Sequence, residues 1–278
     1  MNLSELKSKA LEIRLEALKA IQKSGSLSVG SSMSVVELLV SLYFGDVGGR
    51  PVLHYNVDKP GWDGQDYLVL SSKPATVVLY SILADLGFFE KEELNHFAQI
   101  NSQLKSTPSN RVPGVSVSVA SEGHGLSMAC GLAMDLHSER KENRVYCVMD
   151  FNEMQSGQVW EAIIYASHML LSNLVLIVND CGFQAGGTNK SVMDLGFIQS
   201  KFDSFGWYVL RVSDGHDMDE VLVAYQKSFG SLRRPVCIWC HTVSGKGVDF
   251  AEGKMGYYNA SLSEPELSEI TVKLKSLL

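Results

Sequence analysis

Val145-Tyr146-Cys147-Val148-Met149-Asp150-Phe151-Asn152-Glu153-Met154-Gln155-Ser156-Gly157 is the stretch that decides the fold. Its first five residues are apolar at odd and even positions alike, so a strand here buries both faces. The polar run that follows reads as a turn into a helix. The same unit recurs downstream. Leu174 to Val178 is a β-branched strand that runs into Asn179-Asp180-Cys181-Gly182-Phe183-Gln184, Trp207 to Val212 is another, and Val236 to Trp239 a fourth. Helical spacing fills the intervals at Val159 to Leu170, Val192 to Phe205 and Met218 to Phe229. Apolar strands alternating with helices predict a doubly wound α/β fold, a mainly parallel sheet with helices on both faces. Ligands of such sheets bind beyond the carboxyl ends of the strands, which directs attention to the residues after Met149, Val178 and Val212.

Outward from this stretch the amino-terminal half is helix-rich. Leu3, Leu6, Ala10, Ile13, Ala17 and Ala20 recur at three- and four-residue steps, one face of an amphipathic helix that stops at Gly25. Ser34-Val35-Val36-Glu37 has the spacing of a capping box and predicts a second helix through Leu38, Leu39, Leu42 and Tyr43. Further helices are expected at Ala75 to Leu86, Lys91 to Gln99 and Leu126 to His137, with long loops at Gly48 to Gly64 and Ser102 to Gly114.

The 278 residues carry a net charge of -7, and no basic cluster exceeds pairs such as Arg233-Arg234, which argues against nucleic acid as a partner. Apolar runs are of strand length, far below the roughly 20 residues of a membrane helix. No Pro- or Ser-rich linker divides the chain, so one domain over 1–278 is expected. The opening Met1-Asn2-Leu3-Ser4-Glu5-Leu6-Lys7 lacks the apolar core of a signal peptide, and a cytoplasmic protein with reduced thiols is expected. Cys237-Ile238-Trp239-Cys240-His241 matches the pattern of covalent haem attachment. Within a strand, however, cysteines three apart face opposite sides of the sheet, and the haem and redox-dithiol readings are set aside.

Several segments carry a family resemblance: Ser34 to Leu39, Val112-Pro113-Gly114-Val115, Ser121-Glu122-Gly123-His124-Gly125, Gly157-Gln158-Val159-Trp160-Glu161-Ala162, Phe205-Gly206-Trp207, Asp214-Gly215-His216-Asp217 and His241 to Val248. In this order and near this spacing, the chain resembles the amino-terminal half of transketolase over nearly its whole length. The resemblance implies the diphosphate-binding (PP-type) domain of the thiamine diphosphate fold, here as a separate subunit. It implies a homodimer, or a heterotetramer with a separately encoded C-terminal, pyrimidine-domain subunit. It also implies thiamine diphosphate held through magnesium, by a Gly-Asp-Gly turn and an Asn after the next strand.

In the family's register the Gly-Asp-Gly positions are Asp150, Phe151 and Asn152, the Asn position is Cys181, and Glu153 and Phe183 adjoin them. A phenyl ring and a soft thiol are poor ligands for a hard cation, which predicts no metal site. Asp150 adds negative charge where a diphosphate would lie. Four histidines that the family places around cofactor and sugar are here Ser28, Pro74, Thr107 and Tyr258, while Gly123-His124-Gly125 brings one imidazole in. A cationic Lys246 stands in a Gly-Lys-Gly loop, free to bind an anion or to face water. Glu153 and Gln155 read equally as first-turn residues favoured by the helix dipole, and Cys181 as a packing residue. The expected function is a transketolase-like subunit whose cofactor ligands are lost, a binding or structural partner or one with altered chemistry, and no residue is assigned a catalytic role. The alternative is an active thiamine-dependent transferase of a two-carbon ketol or acyl unit.

Overall fold

The computed structural model describes residues 1–230 and 233–278. Five strands, β1 (Tyr67–Leu70), β2 (Val145–Asp150), β3 (Leu174–Asp180), β6 (Tyr208–Val212) and β7 (Val236–His241), form one sheet in the order β1-β2-β3-β7-β6. Every neighbouring pair is parallel. Two-residue strands β4 (Phe183–Gln184) and β5 (Gly187–Thr188) make a small antiparallel hairpin after β3.

Apolar residues of both parities are used as the sequence predicts. Tyr146, Val148, Val175, Ile177, Val236, Ile238 and Cys240 enter one core, packed by the helices α1 (Leu3–Ser24), α3 (Val36–Phe44), α4 (Thr76–Asp85), α9 (Met218–Ser228) and α10 (Glu264–Leu277). Their neighbours Val145, Cys147, Met149, Leu174, Leu176, Val178, Cys237 and Trp239 enter a second core under α5 (His124–Ser138), α6 (Gly157–His168) and α8 (Ile198–Ser204). Cys237 and Cys240 thus lie on opposite faces, both free and fully buried. Helix α1 begins on a capping box of Asn2 and Glu5 and ends on Gly25, whose left-handed φ of 66° closes the last turn.

The structure corrects several expectations. The capping box at Ser34 is not formed: α3 starts after Val35 without a side-chain cap, Ser34 donates to the Ser31 carbonyl, and Glu37 is drawn into an ion pair with Arg14. A short helix α2 (Val29–Met33) occupies the preceding loop. Lys91 to Gln99 yields only a 3-10 segment, Lys91–His96. Val192 to Phe205 is not one helix; α7 (Asn189–Val192) and α8 are separated by an irregular stretch. Strand β1 and helix α10 went unread because four residues are too short for a period, and because the helical pattern after Ser263 is strongly polar.

Candidate functional site at the strand ends

Two cavities open at the carboxyl ends of the strands, one on each side of the sheet. The first, of about 230 Å³, is lined by Lys73, Pro74, Glu122, Asp150, Asn152, Glu153, Gln184, Ala185, Gly186, Tyr258 and Asn259. The second, of about 490 Å³, includes Phe151, Asp180, Arg211, Trp239 and His241. Strand parity separates them. Asp150 continues the face of Tyr146 and Val148, whereas the Phe151 ring belongs to the opposite core, edge-on to Trp239 at 5.4 Å and 81°.

Asp150 is 7% exposed and tied into the protein by both carboxylate oxygens. Asn179, its register partner on β3, donates to Oδ1 at 2.8 Å, and Ser72 donates to Oδ2 at 2.6 Å. Its carboxylate also caps the 3-10 turn Phe151–Gln155, and Glu153 closes the box by accepting the Asp150 N–H at 2.9 Å. Glu153, 3% exposed, accepts in addition from Ser71 and from the Gly123 N–H at 2.8 Å. Asn179 completes the link, donating to Ser34 at 2.9 Å and accepting from Thr242 at 2.6 Å. The turn is therefore held around two carboxyl groups.

Burial pushes the Asp150 carboxyl up to about 6, against the lowering effect of Ser72 and Asn179. Burial, and then the neighbouring Asp150 charge, push Glu153 up to about 7. The sign of the consequence follows directly. Between the ordinary carboxylate values near 4 and these raised ones, the unfolded chain releases protons that the folded chain keeps, so stability falls as pH rises through that window. A rise of this size in one carboxyl group corresponds to about 3 kcal/mol. Denaturant titrations are expected to show this loss between pH 4 and pH 7, and Asp150→Asn, which keeps the cap, is expected to flatten it. An unchanged slope in the variant would contradict the assignment.

Five of the residues singled out from sequence meet in the first cavity: Pro74, Asp150, Asn152, Glu153 and Tyr258. Gly123 supports it through its N–H, and Gly125 packs so closely that an added Cβ would collide with Ser71. Others lie elsewhere. Phe151 faces the second cavity, and His124 is exposed at the start of α5. The half-buried Cys181 directs its thiol to the Phe183 carbonyl at 3.6 Å, and burial pushes it up to about 12, far from a thiolate. The backbone oxygen of Ser28 accepts from Ser31 and that of Thr107 from the Tyr80 hydroxyl. Lys246 pairs with Glu252 at 3.0 Å, so its charge is spent within its own loop.

Sequence reading missed Ser71 and Ser72, and gave no role to Asn179 and Gln184 at the end of β3 and just after it. The two serines follow the unread strand β1, for which Tyr67-Leu68-Val69-Leu70 before Ser71-Ser72-Lys73-Pro74 was the available signal. A second unread group holds the strap, residues 242–263 between β7 and α10, that carries Tyr258. Arg14 donates to the carbonyls of Met33 and Lys246 at 2.9 and 2.6 Å and pairs with Glu37, which also accepts from His216 Nδ1 at 2.8 Å. His216 Nε2 accepts the Val243 N–H at 2.8 Å, so the ring proton sits on Nδ1. The strap lies so close to α2 that a Cβ on Gly30 would meet Ser244 and the Tyr257 carbonyl at 2.6 Å.

Comparison with known proteins agrees with this architecture. From residue 6 to residue 275 the chain matches the family described as transketolase, thiamine diphosphate binding domain. It is 31% identical over 261 residues to the 6-deoxy-6-sulfo-D-fructose transketolase subunit SqwG of Clostridium sp. (strain MSTE9), covering 94% of this chain and 92% of that one. It is 26% identical over 281 residues to an apulose-4-phosphate transketolase subunit of Phocaeicola vulgatus, covering 100% and 98%. The crystal structure of transketolase from Campylobacter jejuni superposes with a TM-score of 0.90 at 25% identity, over 99% of this chain and 43% of that one. The chain thus spans about two fifths of the length of that transketolase.

Proposed function

Because the chain belongs to the transketolase family, in its thiamine diphosphate binding domain, we propose that it is the amino-terminal subunit of a split transketolase-like assembly in which the usual metal and cofactor ligands are lost. It acts, on this reading, as a binding or structural partner or in altered chemistry, beside a separately encoded pyrimidine-domain subunit. The names of two relatives as transketolase subunits, each covered over at least 92% of its length, support the split arrangement.

The observation that carries the loss of ligands is the arrangement at the end of β2. A hard cation needs free oxygen donors. The side chain in the family's metal-binding Asp position is a phenyl ring turned onto Trp239, and the adjacent Asp150 spends its oxygens on Ser72, Asn179 and its own turn. The position of the family's Asn holds a protonated thiol. The residues present therefore fit a metal-bound diphosphate poorly. Calorimetric titration with thiamine diphosphate and magnesium, with and without the partner subunit, is the test: weak or absent binding is expected, and micromolar binding would sink the reading. The second reading, an active thiamine-dependent transferase of a two-carbon unit, is favoured by the family match, which runs almost end to end.

The partner surface is expected on α5 and α6, which pack together and expose Met128, Met134, Ile164 and Tyr165, extended by Met169 and Leu170. Contiguous apolar side chains of this kind mark an interaction face. Sedimentation is expected to show a dimer or a larger complex, and Ile164→Glu to weaken it. A monomer unaffected by the partner subunit would count against this assembly.

A further inference from the structure

We propose that Arg50, Arg144, Arg233 and Arg234, gathered at the amino ends of the strands, form a binding site for a small phosphate-bearing polyanion. The site lies at the opposite end of the sheet from the two cavities described above, and the inference stands whether or not those take thiamine diphosphate.

In sequence these residues are scattered, and only Arg233 and Arg234 are adjacent. The fold brings them together. Arg144 immediately precedes β2, and Arg233-Arg234 stands just before β7. Val145 is level with Leu174 of β3, and the next residue, Val175, is level with Val236 of β7. Strands two places apart are about 10 Å from each other, and the arginines start from that spacing. Phe229, which follows α9, ties in the fourth: the Arg50 guanidinium lies 4.5 Å and that of Arg144 4.8 Å from the centre of its ring. Two like charges on one ring repel each other. Burial and the Arg50 charge draw the Arg144 guanidinium below its usual value. No carboxylate relieves them: among the described residues, Arg14 is the one arginine with a carboxylate oxygen within 4.0 Å. Asp66 spends its oxygens on the Arg144 N–H and on His54, and Asp46 accepts from the Gly49 N–H in the turn that presents Arg50.

Arg50, Arg233 and Arg234 are exposed, while Arg144, 9% exposed, is fixed by donating from both terminal nitrogens to the Ser228 carbonyl at 3.3 and 3.2 Å. Arg234 covers the Tyr208 ring at 5.5 Å. Rings and carbonyl thus hold these guanidiniums in place before any ligand arrives. A guanidinium fork matches phosphate, two N–H groups to two oxygens. Cations spread over this distance favour a chain of phosphates over a single carboxylate. In a chain of net charge -7, such a cluster draws anions to one place.

The test uses the full chain at low salt, free of divalent metal, with three probes: inorganic triphosphate, ATP and acetate. The readout is the NMR shift of the backbone amides of Arg144, Phe229 and Arg234, with those of Gly123 and Asn152 reporting on the first cavity. Inorganic triphosphate is expected to give saturable, submillimolar shifts confined to the first three amides, and to bind more weakly as salt is added. Acetate is expected to give none. Arg50→Gln and Arg234→Gln, both at exposed positions, are each expected to lower the affinity about tenfold with the fold kept, as loss of one charge-assisted contact does. Tighter binding of ATP assigns the phosphates to a nucleotide, and equal or weaker binding assigns them to a free polyphosphate; both support the site. Absence of saturable shifts with both phosphate probes, shifts at Gly123 and Asn152 in place of the first three amides, acetate matching triphosphate, or undiminished affinity in both variants overturns the inference.

Discussion

Glu37→Ala is expected to lower stability by about 3–5 kcal/mol, the cost of stranding a buried charge. Arg14 is 2% exposed and Glu37 8%, and the guanidinium also holds the carbonyls of Met33 and Lys246. Burial by itself would raise the Glu37 carboxyl, but the charge of Arg14 and the hydrogen bond from His216 outweigh it and draw it down to about 2. A depressed folded value means that the stabilisation is present above the ordinary carboxylate range and is lost only as pH falls toward 2. Removing Glu37 leaves Arg14 charged in a closed space, releases His216 from its acceptor, and frees the strap that carries Tyr258. Thermal unfolding would show a drop of roughly 5–10 °C for a chain of this length. The double change Arg14→Met with Glu37→Leu is expected to recover most of the loss, because an apolar pair replaces a buried ion pair at little cost. A single variant as stable as the parent, or a double variant no better than the single, would show that the network does not bear on stability.

Thiamine diphosphate with magnesium is expected to bind at millimolar strength or weaker. A diphosphate brings about three negative charges, and burying it without a metal beside Asp150 costs several kcal/mol. Every 1.4 kcal/mol is a factor of about ten, so such a penalty carries a micromolar site into the millimolar range. Reverting the turn tests the cause as well as the effect. Phe151→Asp and Cys181→Asn restore oxygen donors, while Asp150→Gly and Asn152→Gly remove the acid and the side chains that crowd the turn. The four changes together are expected to recover part of the affinity, measured by calorimetry, at some cost in stability because Asp150 also caps its own turn and meets Asn179 and Ser72. No recovery in a folded variant would place the obstacle elsewhere in the cavity, with Pro74 and Tyr258 the next candidates.

What the sequence disclosed was governed by the range of the interactions involved. The strands β2, β3, β6 and β7 were legible because each is a local apolar run between turn signals, and α1 because its period persists over 22 residues. Where a residue's partner is distant in sequence, local reading failed. Ser34 and Glu37 have the spacing of a cap, yet Asn179 and Arg14, 145 and 23 residues away, claim their side chains. The site divided in the same way. Asp150 and Glu153 stand at a visible strand end, while Ser71, Ser72 and Gln184 reach the cavity through a four-residue strand and a two-residue hairpin that leave no periodic trace. Lys246 offered an exposed cation in sequence, and only the fold shows Glu252 beside it.

The central strands contribute apolar residues to both cores, and this changes what holds them in alignment. In a sheet with one wet face, a slip of one residue drives the oily side into water and is punished at once. Here the same slip would exchange one apolar set for another, so greasiness alone discriminates weakly between alignments. The marks that distinguish the native one stand at the tips, where Asp150 comes opposite Asn179 and Asp180 opposite His241. Shift β2 by one place and a buried acid loses its amide donor. Foldability alone therefore suffices to account for the acid and its amide at these tips, and polar strand ends in such sheets are poor witnesses to a catalytic role.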